Sequence, residues 1–157
     1  MLNLIGVHEC KMDTKGRLGI PRGLKRQLMP FIDRGFVLKR SVFQPCLELY
    51  PMEEWERTMA KVNRLNRFVK KNNDFIRMFT AGVKLVEVDS NGRINVPKDL
   101  MQFAKLENEL VLSAAVNLVE IWDKDRYEKA IDVSEDDFGH LAEEVMGSLN
   151  DQDNGVS

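Results

Sequence analysis

Two arginines follow the same kind of turn at two places in the chain. The first stretch reads Asp13-Thr14-Lys15-Gly16-Arg17 and the second reads Asp89-Ser90-Asn91-Gly92-Arg93. After each arginine, two aliphatic residues separated by one position lead to a proline, Pro21 or Pro97. The guanidinium group is a planar fork of N–H donors that suits phosphate oxygens and the edge of guanine. The chemistry that these residues offer is therefore nucleic-acid recognition.

The spacing within each stretch predicts a tight turn. Aspartate favours the first position of a type I turn and glycine favours the fourth, where a positive φ has no steric cost. A hairpin turn braced by an Asp–Arg pair would explain Asp13, Gly16, Asp89 and Gly92, and also Arg17 and Arg93. The sequence leaves this structural role open beside the nucleic-acid role.

Basic residues gather in sequence around the first turn and not around the second. The second copy has Asn91 where the first has Lys15, and Asp99 where the first has Gly23. We therefore expect the first unit to contact DNA and the second to be mainly architectural, with Arg17→Ala more damaging than Arg93→Ala. The candidate DNA-binding residues are Lys11, Lys15, Arg17, Arg22 and Lys25, with Arg26 beside them.

The net charge of −2 hides an asymmetry between the two halves of the chain. Residues 1–79 hold 16 Lys and Arg against 8 Asp and Glu, whereas residues 80–157 hold 7 against 17. A basic half favours a polyanionic partner. The alternative is that opposite halves of neighbouring copies attract each other in an oligomer.

The remaining composition argues against several other classes of protein. No apolar run approaches the roughly 20 residues of a membrane span, and residues 1–6 do not read as a signal peptide. Cys10 and Cys46 give no disulfide framework, so a reduced cytosolic compartment is expected. His8 and Cys10 form only part of a zinc-ligand pattern, and we expect them to be strand residues that share one face. No catalytic, metal or cofactor motif is visible, so an enzyme is not expected.

The repeat also organises the rest of the chain. Strands are expected at residues 4–12, 17–20, 36–39 and 47–50, with a short helix from Pro21 to Met29. The offset between the copies is 76 residues at the turn and 72 at Leu47 and Val119. Each unit is therefore ββαββ followed by a helix, and two such units can share one core about a pseudo-twofold axis. The predicted regions are 4–51 and 80–123 for the units, 52–79 for a helical insert, 124–149 for C-terminal helices and 150–157 for a disordered tail.

The doubled motif resembles the MraZ family, bacterial transcription regulators with two tandem SpoVT-AbrB units of the swapped-hairpin type. Pro45–Pro51 and Glu54-Trp55-Glu56 support the resemblance, which covers about residues 4–130. It implies an α+β fold of intertwined β-hairpins and a ring-shaped homo-oligomer in the cytoplasm, associated with the nucleoid. It also implies binding to double-stranded DNA at promoter repeats of the division and cell-wall gene cluster, including the protein's own gene, through Arg17.

Two other functions remain open from the sequence. An AbrB-type antitoxin would cap a toxin, although such proteins usually carry one unit and a disordered tail. A ring-forming adaptor would bind protein and not DNA, and the acidic second half and the Phe-rich insert would suit that role.

Overall fold

A computed structural model describes residues 2–154 of the chain, with the backbone alone for residues 150–154. The fold is α+β, as the sequence predicts. The strands are β1 Val7–Lys11, β2 Arg17–Gly19, β3 Phe36–Arg40, β4 Leu47–Pro51, β5 Lys84–Val86, β6 Arg93–Asn95, β7 Glu109–Ala115 and β8 Leu118–Asp123. The α-helices are α1 Arg22–Leu28, α2 Met52–Val62, α3 Lys70–Phe79, α4 Lys98–Ala104, α5 Lys124–Ile131 and α6 Glu135–Asn154, and a 3₁₀ helix spans Met29–Arg34.

Six strands form one antiparallel sheet in the order β1-β7-β8-β4-β3-β5. The first strand of each unit pairs with the third strand of the other unit, so β1 joins β7 and β5 joins β3. The centre of the sheet is the pairing of β4 with β8, where Glu48 lies opposite Glu120, its equivalent at the offset of 72. This exchange of strands about a pseudo-twofold axis confirms the predicted intrachain pseudo-dimer.

The two short strands β2 and β6 pair with each other in a separate two-stranded sheet, which we call the ribbon. The sequence predicted that β1, the turn and β2 form one hairpin. Instead, β1 runs into the large sheet. The residues that follow it meet β2 at the Met12–Leu18 bridge and through the hydrogen bond from the N–H of Asp13 to the carbonyl of Arg17. Leu18 and its equivalent Ile94 face each other across the ribbon, and both are fully buried. Their burial, about 1.5–3 kcal/mol for each such side chain, explains why β2 pairs with β6.

The core under the ribbon combines side chains from both units. Leu24 of α1 and Leu100 of α4 are equivalent residues, and neither is exposed to solvent. They join one apolar cluster with residues of both units, such as Leu38 and Leu112. Neither unit alone would bury an apolar surface of this size, because a small domain hides a smaller fraction of its surface.

The helical insert is held on the first unit by aromatic contacts. Trp55 packs edge-on against Tyr50 with ring centroids 5.5 Å apart, and it stacks on Phe79 at 5.9 Å. The second helix of the predicted insert begins only at Lys70. The side chain of Asn66 accepts a hydrogen bond from the N–H of Phe68 at 3.0 Å, and this turn delays the helix.

The C-terminal residues form α5 and α6, and residues from Tyr127 on make a compact body of their own. The N–H of Asp137 donates to Oγ of Ser134 at 3.1 Å, and this side chain caps the start of α6. The helix was expected to end near Leu149, before a disordered tail. It continues to Asn154, since residues 150–154 contain no glycine or proline; residues 155–157 lie outside the described residues. Among residues 2–154, no helix is both long enough and apolar enough to cross a membrane.

Candidate nucleic-acid interface

The first turn is built around the carboxylate of Asp13. Its Oδ1 accepts hydrogen bonds from the backbone N–H groups of Lys15 and Arg17, both at 2.9 Å. Its Oδ2 accepts a hydrogen bond from Nε of Arg17 at 2.8 Å. Gly16 closes the turn at φ +83° and donates its N–H to the carbonyl of Asp13. The aspartate therefore fixes both the turn and the orientation of the arginine that follows it.

The second turn repeats this arrangement atom for atom. Asp89 accepts hydrogen bonds from the N–H groups of Asn91 and Arg93 at 2.9 Å, and from Nε of Arg93 at 3.3 Å. Gly92 lies at φ +74°. The N–H of Arg93 lowers the pKa of Asp89, just as the N–H of Arg17 lowers that of Asp13. The two stretches thus adopt equivalent conformations, as predicted from the repeat.

The Asp–Arg brace leaves most of each guanidinium group unused. Arg17 and Arg93 each bind their aspartate through Nε, and among the described residues their Nη groups have no hydrogen-bond partner. The Nη groups carry four of the five N–H donors of arginine. The structural role and the nucleic-acid role are therefore compatible, because the aspartate orients a fork that can still bind a phosphate or a guanine.

Both arginines lie on one face of the ribbon. Arg17 pairs with Asn95 and Arg93 pairs with Gly19, while the buried pair Leu18–Ile94 lies between them. Side chains alternate along a strand, so the four flanking residues point away from the core. Arg17 and Arg93 are diagonal neighbours across the two strands, a relation that separates residues by about 7–8 Å. We call this surface the outward face of the ribbon.

The predicted cluster of basic residues divides between the two turns. The N–H of Ile20 donates to the carbonyl of Gly92, which brings α1 of the first unit over the second turn. There Nζ of Lys25 lies 2.8 Å from the position that a Cβ atom on Gly92 would take. The equivalent of Lys25 is Met101, whose side chain lies against Gly16. The prediction that Lys25 lies at the first turn was therefore wrong. Lys25 is close to the first turn in sequence, but α1 packs against the turn of the other unit.

The other predicted residues are exposed. Lys11 ends β1, Lys15 lies in the first turn, and Arg22 and Arg26 lie on α1. The first turn thus carries Lys15 beside Arg17, and the second carries Lys25 beside Arg93. One lysine and one arginine at each turn weaken the argument that the second unit is only architectural.

Two residues of the outward face, Gly19 and Asn95, were not singled out from the sequence. Both are exposed and lie two positions after an arginine. The signal was present, because the alternation of a strand around the apolar Leu18 and Ile94 puts residues at i and i+2 on one face.

The expectation for His8 and Cys10 is confirmed, since both lie on the same face of β1 and are half-buried. The ring of His8 packs against Gly6 and Gly23. Within the part of the chain that the structure describes, no group of three or more His, Cys, Asp or Glu side chains is placed to hold a metal ion.

Comparison with known proteins agrees with the repeat. The model of the family described as "MraZ protein, putative antitoxin-like" matches residues 4–78 and again residues 78–148. A transcriptional regulator MraZ of Christiangramia forsetii is 65% identical over 157 residues, 100% of both chains. One of Flavobacterium psychrophilum is 62% identical over the same extent. One of Pediococcus pentosaceus is 37% identical over 90% of this chain and 96% of its own.

These relatives carry the name of a transcriptional regulator and not that of an enzyme. The family model matches the chain twice in tandem, as the doubled turn and the exchanged strands require. The chain therefore belongs to the MraZ family of transcriptional regulators.

Proposed function

We propose that this chain regulates transcription by binding double-stranded DNA with the outward face of its ribbon. The observation that supports this most is the pair of arginines, each held by an aspartate through Nε, with Nη groups that make no hydrogen bond to any described residue. The major groove is about 12 Å wide and admits a two-stranded ribbon. Arg17 and Arg93 would contact guanine edges there, while Lys11, Lys15, Arg22 and Lys25 would contact the phosphates on either side.

The proposed mechanism is occupancy of repeated sites. The chain would bind repeats in the promoter of the division and cell-wall gene cluster, including its own gene, and would act in the cytoplasm at the nucleoid. A single ribbon offers few base contacts, each worth about 1–3 kcal/mol. Several ribbons on one oligomer would bind adjacent repeats with a raised effective concentration, which increases the affinity without new contacts.

We further propose that the oligomer is a ring larger than a dimer, assembled head to tail. Helix α6 carries an exposed apolar stripe consisting of Phe138, Leu141, Val145, Met146 and Leu149. Residues 132–149 hold six acidic residues and no Lys or Arg, whereas residues 61–77 of the insert hold six basic residues and one acidic residue. The insert also exposes apolar side chains, among them Phe68, Phe75 and Met78. Opposite charge and matching apolar surface support docking of α6 on the insert of the next copy, a contact that closes into a ring.

The proposed domain boundaries remain those expected from the repeat. The units would be residues 4–51 and 80–123, separated by the insert over 52–79 and followed by helices from residue 124. The insert and the C-terminal helices would then serve assembly, and the two units would serve DNA binding.

The test of DNA binding uses a labelled duplex from the region upstream of the protein's own gene and a shuffled duplex of equal length. Arg17→Ala and Arg93→Ala should each lower the affinity by roughly 5- to 150-fold for every ribbon engaged. Lys15→Ala and Lys25→Ala should reduce the slope of log affinity against log salt concentration by about 1 each. Lys129→Ala, which removes a charge from α5 and not from the ribbon, should change neither quantity.

Three outcomes would contradict the proposal. The wild type could bind both duplexes equally weakly, both arginine variants could keep full affinity, or both could lose stability alike while their folded fraction keeps full affinity. The first outcome would favour the antitoxin or adaptor functions, and co-purification with a protein partner would then be the next measurement. Circular dichroism and light scattering of every variant separate lost affinity from lost fold.

The assembly is tested by light scattering at micromolar concentration. Val145→Arg puts a positive charge into the α6 stripe and should dissociate the oligomer, because it would face the basic insert. His140→Arg adds the same charge on the opposite side of the helix and should leave the oligomer intact. A wild-type monomer, or equal behaviour of both variants, would refute the proposed contact.

A further inference from the structure

The outward face of the ribbon is nearly, but not fully, symmetric. The pseudo-twofold axis passes through the pair Leu18–Ile94, because these residues are equivalent and lie opposite each other. The axis relates Arg17 to Arg93 and Gly19 to Asn95. Arg17 therefore lies opposite an asparagine, whereas Arg93 lies opposite a glycine without a side chain.

We infer that Asn95 reads an adenine and gives the bound ribbon a direction on the DNA. This inference rests on the proposed DNA binding. The amide of asparagine forms a bidentate pair with N6 and N7 of adenine, just as arginine does with O6 and N7 of guanine. Residues directly opposite each other in an antiparallel pair have Cβ atoms about 4.5–5.5 Å apart. At a rise of about 3.4 Å per base pair, Arg17 and Asn95 reach base pairs one or two steps apart.

The surroundings of Asn95 favour recognition over a structural role. The residue is exposed, and its side chain makes no hydrogen bond with any other residue that the structure describes. Asparagine is also depleted in β-strands, so the strand gains nothing from it. At Gly19, an added Cβ atom would meet no other atom within 4 Å, and the backbone there is not in the left-handed region. The half of the ribbon in which Gly19 lies opposite Arg93 thus has room for an asparagine, but it has none.

The consequence is that one half of each ribbon specifies an additional base pair. A homodimer with identical strands could not make this distinction. The protein would bind each repeat in one orientation only, with guanine contacts on both sides of the axis and an adenine contact on one side.

The experiment is selection of binding sites from a pool of randomised duplexes with the full chain, followed by affinities for single-base changes. The wild type should prefer adenine at one position, with roughly 5- to 150-fold weaker binding when that base is changed. Asn95→Gly should lose this preference alone. Gly19→Asn should keep it and acquire a second adenine preference at the position related by the axis.

The gain expected from Gly19→Asn keeps the test independent of any damage caused by Asn95→Gly. Selected sites that are the same for all three proteins would overturn the inference and leave the proposed DNA binding intact. Failure of the wild type to select any site would overturn the proposed function itself, and with it this inference. If Gly19→Asn selects the second adenine and the other two proteins do not, the inference is supported.

Discussion

The two turn glycines test the exchanged packing, in which the turn of each unit contacts the short helix of the other unit. Gly16 and Gly92 have the same conformation, so replacement of either by alanine introduces the same backbone strain, about 1–2 kcal/mol. It also restricts the unfolded chain equally, which returns about 0.4–1 kcal/mol in both cases. These two contributions cancel when the variants are compared, and only the new methyl group distinguishes them.

The methyl group meets different neighbours at the two turns. At Gly16 it would lie 3.0 Å from the carbonyl oxygen of Val96 and 3.0 Å from Cε of Met101. The strand after Ile94 is held in place there, because the N–H of Val96 donates to the carbonyl of Gly16 at 2.8 Å. Such overpacking costs about 1–3 kcal/mol. At Gly92 the three atoms nearest to the methyl group would all belong to the flexible end of the Lys25 side chain, which can move away.

We therefore expect Gly16→Ala to lower the free energy of unfolding by about 1–3 kcal/mol more than Gly92→Ala. Urea denaturation at one fixed protomer concentration, followed by circular dichroism, measures the difference, since the stability of an oligomer depends on concentration. Gly19→Ala is the matched control on the same ribbon, because its methyl group would enter open space. Equal losses for the two turn variants, or a larger loss for Gly92→Ala, would refute the exchanged packing as the cause.

Three further predictions concern strain and ionisation. Val116→Gly should stabilise the fold by roughly 1 kcal/mol in thermal unfolding, because a β-branched residue at φ 64° is strained. Burial raises the pKa of Cys10 to about 11 and that of Cys46 to about 12. Both thiols should therefore react slowly with iodoacetamide at pH 8. The free energy of unfolding should fall above about pH 9, because the thiols of the unfolded chain ionise there. The double serine variant should keep its DNA affinity. The lowered pKa values of Asp13 and Asp89 stabilise the fold above about pH 4; this support is lost as the pH falls further, and a double asparagine variant should show a shallower acid unfolding curve.

The sequence predicted the elements well because the repeat doubles every signal. Strands β3 and β4 begin at the expected residues, and α1 ends at Leu28, one residue before Met29. Pro30 follows this end and lies in the first turn of a 3₁₀ helix, where its missing N–H is tolerated. Helix ends and strand starts of this kind depend on residues that are adjacent in the sequence, so they can be predicted from the sequence alone.

The partners of the strands could not be predicted in the same way. A turn followed by β2 indicates a hairpin with β1, but β2 pairs with β6, which lies 76 residues away. Its partner is chosen by the burial of Leu18 against Ile94, a contact that exists only once both units are folded together. Because β2 pairs with β6, α1 lies over the second turn. Lys25 is therefore near Arg93, which the sequence did not predict.

The exchange between β1 and β7 has a consequence for synthesis on the ribosome. Lys11 ends β1, and its partner strand begins at Glu109, about 100 residues later. At about 5–20 residues per second, β1 waits roughly 5–20 s after its own synthesis for the strand with which it pairs. During this interval its apolar residues are uncovered, and another nascent first unit offers the same pairing surface. Ribosomes that follow one another on one message thus hold chains able to exchange strands, so translation rate and chaperone supply control how much protein folds within a single chain.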